Sequence, residues 1–406
     1  MNAALRRLLI AALLALAPLL ARGGGEAEPA FGDAGIASYA TGPSGGEALG
    51  LEPDGRIVVA GLIGNVGGLL RLLPDGRPDP AFGAGGVVRA EGRRDWPDVF
   101  TDLARDGEGR WLALGVRYAP DPPSLVLVRL TAAGTLDRSF GDGGLRVLRG
   151  AFASTLGRPR LALDPVRGPV LTLGGGRDGH FGVLALDPQG RPRSGFGERG
   201  SVEIARWKGW SNALALNAAG QVFAAGAIEG SDRVWDFLLA AFGTDGLPIG
   251  FGPLGSTPGD YAGREAKAVR VQADGSVLIA GSSDDRPFLA RFDRDARPDP
   301  RFGDRGSVRY PDAAGFGDAA FTALAVAPDG RLVAAGEVRA GAGRDFVIVR
   351  FLPDGRPDPA FGEQGVVRLR PGTRNGGARD LAVLPDGGVL VTGRVDDRLV
   401  VLRRRP

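Results

Sequence analysis

The chain carries a single histidine, His180, so any Ser-His-Asp arrangement, histidine base or histidine metal ligand must use it. Its setting points to a strand entrance instead. Phe181, Phe237 and Phe346 each stand nine residues before a turn glycine, which puts His180 in register with Asp236 and Asp345. Gly174, Gly176 and Gly179 have the spacing of a dinucleotide loop, but they lie between strand-like runs, whereas such a loop needs a helix amino terminus. Recurring aspartates such as Asp54, Asp75, Asp329 and Asp354 lack the alternating acidic pattern and distal glutamate of a calcium loop, and read as turn caps. The pairs Asp284 with Asp285 and Asp396 with Asp397 serve a hydrolase or a hard cation only if folding brings them together; solvated loop charge is the simpler reading. With no cysteine there is no disulfide and no thiolate metal site. No catalytic residue, metal or cofactor is assigned.

Residues suited to recognition are better marked. Trp96, Trp207, Trp210, Trp235, Tyr118 and Tyr261 fall in segments that vary along the chain, interleaved with Arg117 and Arg233. Large amphipathic rings and arginine are what binding surfaces favour, although the same rings can simply cover strand ends. A second set lies eight residues before a recurring turn glycine: Glu47, Thr101, Arg160, Asn212, Lys267, Thr322 and Arg379. All seven are polar, with apolar residues two positions later. This is read as a polar ring at a tunnel mouth, where a small anionic ligand is one occupant and wet strand ends are the plain alternative.

What must position these residues is a repeat. First-turn glycines Gly55, Gly109, Gly168, Gly220, Gly275, Gly330 and Gly387 are each followed six residues later by another glycine, and Phe-Gly recurs at Phe31, Phe82, Phe140, Phe196, Phe251, Phe302 and Phe361. Each unit of roughly 50 to 60 residues suits four short strands, as in a propeller blade. Asp-Gly and Pro-Asp-Gly are turn chemistry, and the runs between them are short, apolar and branched. The first Phe-Gly precedes any complete unit, while the last unit stops after its third strand. Pairing the amino-terminal strand into the last blade removes two exposed edges. The expected fold is therefore all-β, a seven-bladed β-propeller of four-stranded antiparallel blades closed three strands plus one.

The stretch Phe346 to Gly362, with Pro353-Asp354-Gly355 and Asp358-Pro359-Ala360-Phe361-Gly362, resembles the delta-60 repeat family of bacterial proteins. Asp79 to Phe82, Asp137 to Phe140 and Asp299 to Phe302 repeat its Asp-x-x-Phe-Gly motif; Arg193, Pro248 and Ala296 depart from it. The resemblance covers nearly the whole chain after its first residues, implies a propeller-like fold, and implies no established activity.

Arg6 and Arg7, the apolar run Leu8 to Leu20 and the small residues around Ala21 to Ala27 read as a secretory signal with a short leader, residues 1–27, cut after Ala21 or Ala27. Residues 28–406 are then one domain, with no membrane span after signal removal. The formal charge of +3 includes Arg6 and Arg7, so nucleic acid is not an expected partner. The expected protein is secreted or periplasmic and monomeric, a non-enzymatic scaffold that binds an unknown protein or glycan of the cell envelope. The alternatives are a hydrolase- or lyase-type enzyme at the tunnel mouth and a purely structural module.

Overall fold

The structure is a computed structural model that describes residues 24–89, 95–119, 123–149, 157–173, 179–229, 235–251, 264–310, 317–370 and 376–406. Gly174, Gly176, Arg233 and Tyr261 lie outside the described residues, as do residues 1–23 and the side chain of Trp207. Among the described residues there are 27 strands and no helix.

The first strand, β1 (Ile36–Tyr39), is followed by a sheet of β2 (Gly45–Leu51), β3 (Ile57–Ile63), β4 (Val66–Leu72) and β5 (Val87–Arg89). A second sheet holds β6 (Val99–Arg105), β7 (Trp111–Arg117), β8 (Ser124–Leu130) and β9 (Leu145–Leu148). Next come β10 (Leu161–Asp164), β11 (Gly168–Leu173), β12 (His180–Ala185), β13 (Ser201–Leu216), β14 (Val222–Glu229), β15 (Trp235–Phe242) and β16 (Pro248–Phe251), hydrogen-bonded in that order. Two further four-stranded sheets contain β17 (Arg264–Val271), β18 (Val277–Ser283), β19 (Arg286–Phe292) and β20 (Ser307–Arg309), then β21 (Ala319–Val326), β22 (Leu332–Ala340), β23 (Gly343–Phe351) and β24 (Val366–Leu369). The last sheet is built from β25 (Gly376–Val383), β26 (Val389–Val395) and β27 (Arg398–Arg404), with β1 as its fourth strand. Ile36 lies opposite Leu402 and Tyr39 opposite Leu399. All these pairings are antiparallel.

The seven-stranded sheet differs from the expected separate four-stranded blades because β13 serves two ladders. Its first half pairs with β12 and Gly209 to Leu216 pair with β14. No turn residue interrupts the crossing, so one extended strand runs from an outer position to an inner one. Elsewhere the chain turns sharply, as at Gly355, whose φ of +89° is available to glycine without a Cβ clash.

Apolar layers lie between successive sheets. Leu112, Leu125 and Leu127 pack on Leu161, Leu171 and Leu184; the two halves of the long sheet meet through Phe181, Val183, Leu214 and Leu238. Leu390, Leu399 and Val401 of the sheet holding both chain ends pack on Leu49, Val59 and Leu70 of the first. Strands covered on both faces are why the runs read as nearly continuous apolar stretches rather than alternating ones.

A polar clasp recurs on the outer edge. Arg71 Nε donates to Asp79 Oδ2 at 2.8 Å, Arg129 to Asp137 at 2.8 Å, Arg291 to Asp299 at 3.0 Å and Arg350 to Asp358 at 2.9 Å. In each case the guanidinium also lies over the following phenylalanine, 4.6 Å from the ring centre for Phe82 and Phe361, 4.7 Å for Phe140 and 4.8 Å for Phe302. The neighbouring sheet is tied in as well. Arg129 Nη1 donates to Pro188 O at 3.0 Å and Arg291 Nη1 to Pro353 O at 2.7 Å, while Gly83 N–H donates to Ala133 O at 3.0 Å and Gly303 N–H to Asp354 O at 2.9 Å.

Burial alone pushes the carboxyls of Asp79, Asp137, Asp299 and Asp358 up, but the backbone and side-chain hydrogen bonds they accept and the adjacent arginine hold them below the ordinary value. A folded value lowered in this way contributes stability that is present above the unfolded carboxyl's pKa of about 3.9 and is lost as pH falls through the folded value. The melting temperature should therefore fall on acidification from pH 6 to 3. Arg291→Ala should cost about 1 to 2 kcal/mol at pH 7 in a denaturant titration, because it removes one of two arginines from a buried carboxylate that Arg301 Nε still meets at 3.1 Å. Arg291→Ala with Asp299→Ala should cost less than the summed single changes and melt with a shallower acid slope. Ala296 holds φ at +61°, so Ala296→Gly should stabilise by about 1 kcal/mol through relief of a left-handed backbone.

Candidate functional site

The inner strands share one irregularity. The register of β2, β6, β13, β17, β21 and β25 against the next strand shifts at Glu47, Thr101, Asn212, Lys267, Thr322 and Arg379. Such a bulge leaves a residue outside the ladder and re-aims its side chain. Arg160 stands just before β10, where its N–H donates to Thr172 Oγ1 at 2.7 Å and its carbonyl accepts from Thr172 N–H at 2.9 Å. All seven residues of the polar ring line one cavity of about 500 Å³, together with Arg158, Glu265 and Tyr118.

Several of these side chains also link neighbouring sheets. Thr101 Oγ1 donates to Pro159 O at 3.0 Å, Thr322 Oγ1 to Ala378 O at 2.8 Å and Asn212 Nδ2 to Ala266 O at 3.3 Å. Their hydroxyl and amide donors are thereby fixed, and Asn212 Oδ1 in turn accepts Arg158 N–H at 3.0 Å.

The charged groups form two knots. In one, Lys267 Nζ lies 2.9 Å from Glu265 Oε2, and Glu265 Oε1 accepts from Trp210 Nε1 at 3.0 Å and Asn212 Nδ2 at 2.7 Å. Burial would raise the Glu265 carboxyl, yet the Lys267 charge and these donors hold it below the usual range. It is an acceptor rather than a proton source. In the other, Arg158 pairs with Glu47 and donates to Glu47 O at 2.6 Å, while Arg379 Nη1 lies 3.2 Å from Glu337 and Nε lies 4.0 Å from Glu47. Burial, with Arg160 and Arg379 nearby, brings Arg158 down to about 10 despite Glu47. Below the ring, Asp102 Oδ2 accepts Leu161 N–H at 2.8 Å and Asp380 Oδ2 accepts Leu49 N–H at 2.9 Å. Burial pushes Asp102 up, with Arg160 opposing and Asp380 adding to the rise.

The aromatic set divides. Trp235 is exposed and its ring lies 4.4 Å from that of Trp210, which reaches the cavity rim through Glu265; Tyr118 is also exposed. Trp96 is not a surface residue. It is 5% exposed, donates from Nε1 to Gly67 O at 2.9 Å and meets Phe100 edge-on at 5.6 Å. Arg117 is likewise buried, with Nη1 2.7 Å from Asp95. Both belong to the closure of the strand ends. His180 sits opposite Lys208 at the start of β12, 3.9 Å from Glu203. Arg158 and Glu265 were not singled out from the sequence; each stands two residues before a ring residue, and that spacing was the available signal.

A family model described as "Domain of unknown function (DUF5122) beta-propeller" matches residues 52–82, 272–302 and 327–361. Each matched stretch ends on the phenylalanine of a clasp. No curated protein matches. Among solved structures, virginiamycin B lyase from Staphylococcus aureus, a catalytically inactive variant with quinupristin, is similar at 9% identity and a TM-score of 0.56, over 91% of this chain and 99% of that one. The WD40 β-propeller domain of Doa1 is 12% identical at a TM-score of 0.52, over 91% and 95%. Sqt1 from Chaetomium thermophilum, bound to the N-terminus of a ribosomal protein, is 14% identical at 0.53, over 91% and 98%. At these identities the likeness is one of fold: the chain is an all-β propeller.

The two tryptophan environments predict unequal outcomes. Trp96→Ala should destabilise the protein by about 3 to 5 kcal/mol, whereas Trp235→Ala should cost only about 1 kcal/mol, the loss of one aromatic pair, both read from chemical denaturation.

Proposed function

We propose that the chain is an exported, monomeric, seven-bladed propeller that acts as a non-enzymatic binding scaffold through the loop face around the cavity mouth. Counting the long sheet as two blades joined through β13 gives seven, and the antiparallel pairing of β1 with β27 supports closure three strands plus one. The delta-60 resemblance belongs to the same proposal. So do export through residues 1–27 and a partner that is a protein or glycan of the cell envelope.

The observation that carries the reading is the exposed Trp235, whose ring lies 4.4 Å from that of Trp210, itself hydrogen-bonded to Glu265 of the cavity lining. Solvent-facing aromatic rings are the side chains that binding surfaces favour. Carboxylates at the mouth favour binding over proton transfer, since Glu47 and Glu265 are each held by a cation. That Sqt1 is bound to a protein segment is in keeping with a propeller of this kind taking a protein partner.

The test is capture from cell-envelope extract by the immobilised chain, compared with a Trp235→Ala variant that melts cooperatively like the parent. Specific capture lost in the variant supports the proposal. Equal capture by both, or turnover of glycosidase, lactonase or esterase substrates by the parent, counts against it.

A further inference from the structure

We propose that the cavity ringed by the bulge residues binds a small amphipathic organic acid: a compact apolar body carrying a carboxylate or phosphate. The inference rests on the cavity lining and not on the exposed aromatic pair, so it and the capture experiment succeed or fail separately.

The lining has two unlike sectors. Val99, Val116, Pro123 and Leu125, with the ring of Tyr118, form an apolar sector contributed by β6 to β8 and the adjoining loop. Arg158, Arg160, Lys267 and Arg379 supply cations from the other sheets, and only Glu47 and Glu265 oppose them in the lining. A volume near 500 Å³ falls within the range of small-molecule sites, which combine apolar walls with a few placed polar groups.

The donors in the cationic sector are not used up. Arg160 makes one side-chain hydrogen bond, from Nε to Asn212 O at 3.2 Å, and approaches its nearest carboxylate, Asp102, only to 3.9 Å. Its two Nη groups have no hydrogen-bond partner among the described residues. The Nε of Arg158 is buried without one as well. The Arg158 Nε–H, withdrawn from water, is costly until an acceptor meets it, and Arg160, with its nearest carboxylate at 3.9 Å, is the cation of the lining least satisfied by the protein itself. A ligand oxyanion answers both, with the planar fork of Arg160 suited to a carboxylate or phosphate. An inorganic anion alone would leave the apolar sector in water, and a neutral apolar molecule would leave the donors unmet. Only a ligand carrying both parts answers both sectors.

Saturation-transfer NMR on the full-length chain, with millimolar 3-phenylpropionate, hexanoate and phenyl phosphate as probes, tests this. Malonate, acid without a body, and 3-phenylpropanol, body without acid, are the comparison compounds. The expected result is transfer to at least one amphipathic acid, apparent affinity at least tenfold weaker in Arg160→Gln, and no change in Arg305→Gln, which lies on the exposed outer surface. If Arg160→Gln does not fold, Lys267→Gln supplies the same readout. Equal transfer to malonate or to 3-phenylpropanol overturns the proposal, as does unchanged affinity in the folded cavity variant or no transfer to any of the three acids.

Discussion

A carboxylate taken out of water must bring its cation with it, and this constraint organises the outer half of the molecule. Asp79, Asp299 and Asp358 are almost fully buried, and each is met by an arginine at the penultimate position of the third strand of its unit. The same arginine covers the phenylalanine of the Phe-Gly turn, and Arg56, Arg301 and Arg331 add a second cation to the three carboxylates, so strand, turn and aromatic plug are set by one small charge cluster. Where the pair is lost, it is lost whole. Ala185 replaces the arginine and Arg193 the aspartate in one unit, and Ala241 and Pro248 replace them in the next. In the unit completed by β1, Glu28 takes the aspartate's place three residues before Phe31, with Arg405 Nε 3.4 Å away. A lone member of the pair would cost more than its absence.

On the inner side the organising device is the bulge. A regular ladder would alternate side chains between the two apolar layers, leaving none to point along the tunnel. One additional residue in six of the inner strands breaks that alternation at a fixed height, and the chain uses this position for Glu, Thr, Asn, Lys, Thr and Arg. Backbone regularity and chemical variety are thereby separated. The scaffold repeats while the side chains at one level do not.

Turn chemistry made the sheets readable in the sequence, because Asp-Gly and Phe-Gly recur at positions where positive φ or close approach is needed. The polar ring was found by counting back from those turns, and it lines one cavity as a set. What could not be read was the third dimension of the aromatic loops. Trp96 and Trp235 occupy comparable segments, yet one plugs a core with its N–H satisfied and the other faces water; composition does not distinguish the two environments. The continuous β13 also escaped notice, since a crossing made of strand-forming residues looks like a loop only by its place in the repeat. The role of Arg158 depends on Glu47, which is distant in sequence and adjacent only in the folded chain.

The contacts of Gly24 bear on maturation. Its carbonyl accepts from Gly362 N–H at 2.6 Å, its own N–H donates to Ala360 O at 2.8 Å, and Gly25 N–H reaches Arg405 O at 2.9 Å. In this way four residues ahead of Glu28 stand in for the turn that the final unit does not itself supply. For the proposed exported form, a leader peptidase acting after Ala27 would excise that substitute, whereas one acting after Ala21 would spare it. In that proposed form, scission and architecture meet at one short peptide, because the site of the cut decides whether Gly24 stays attached.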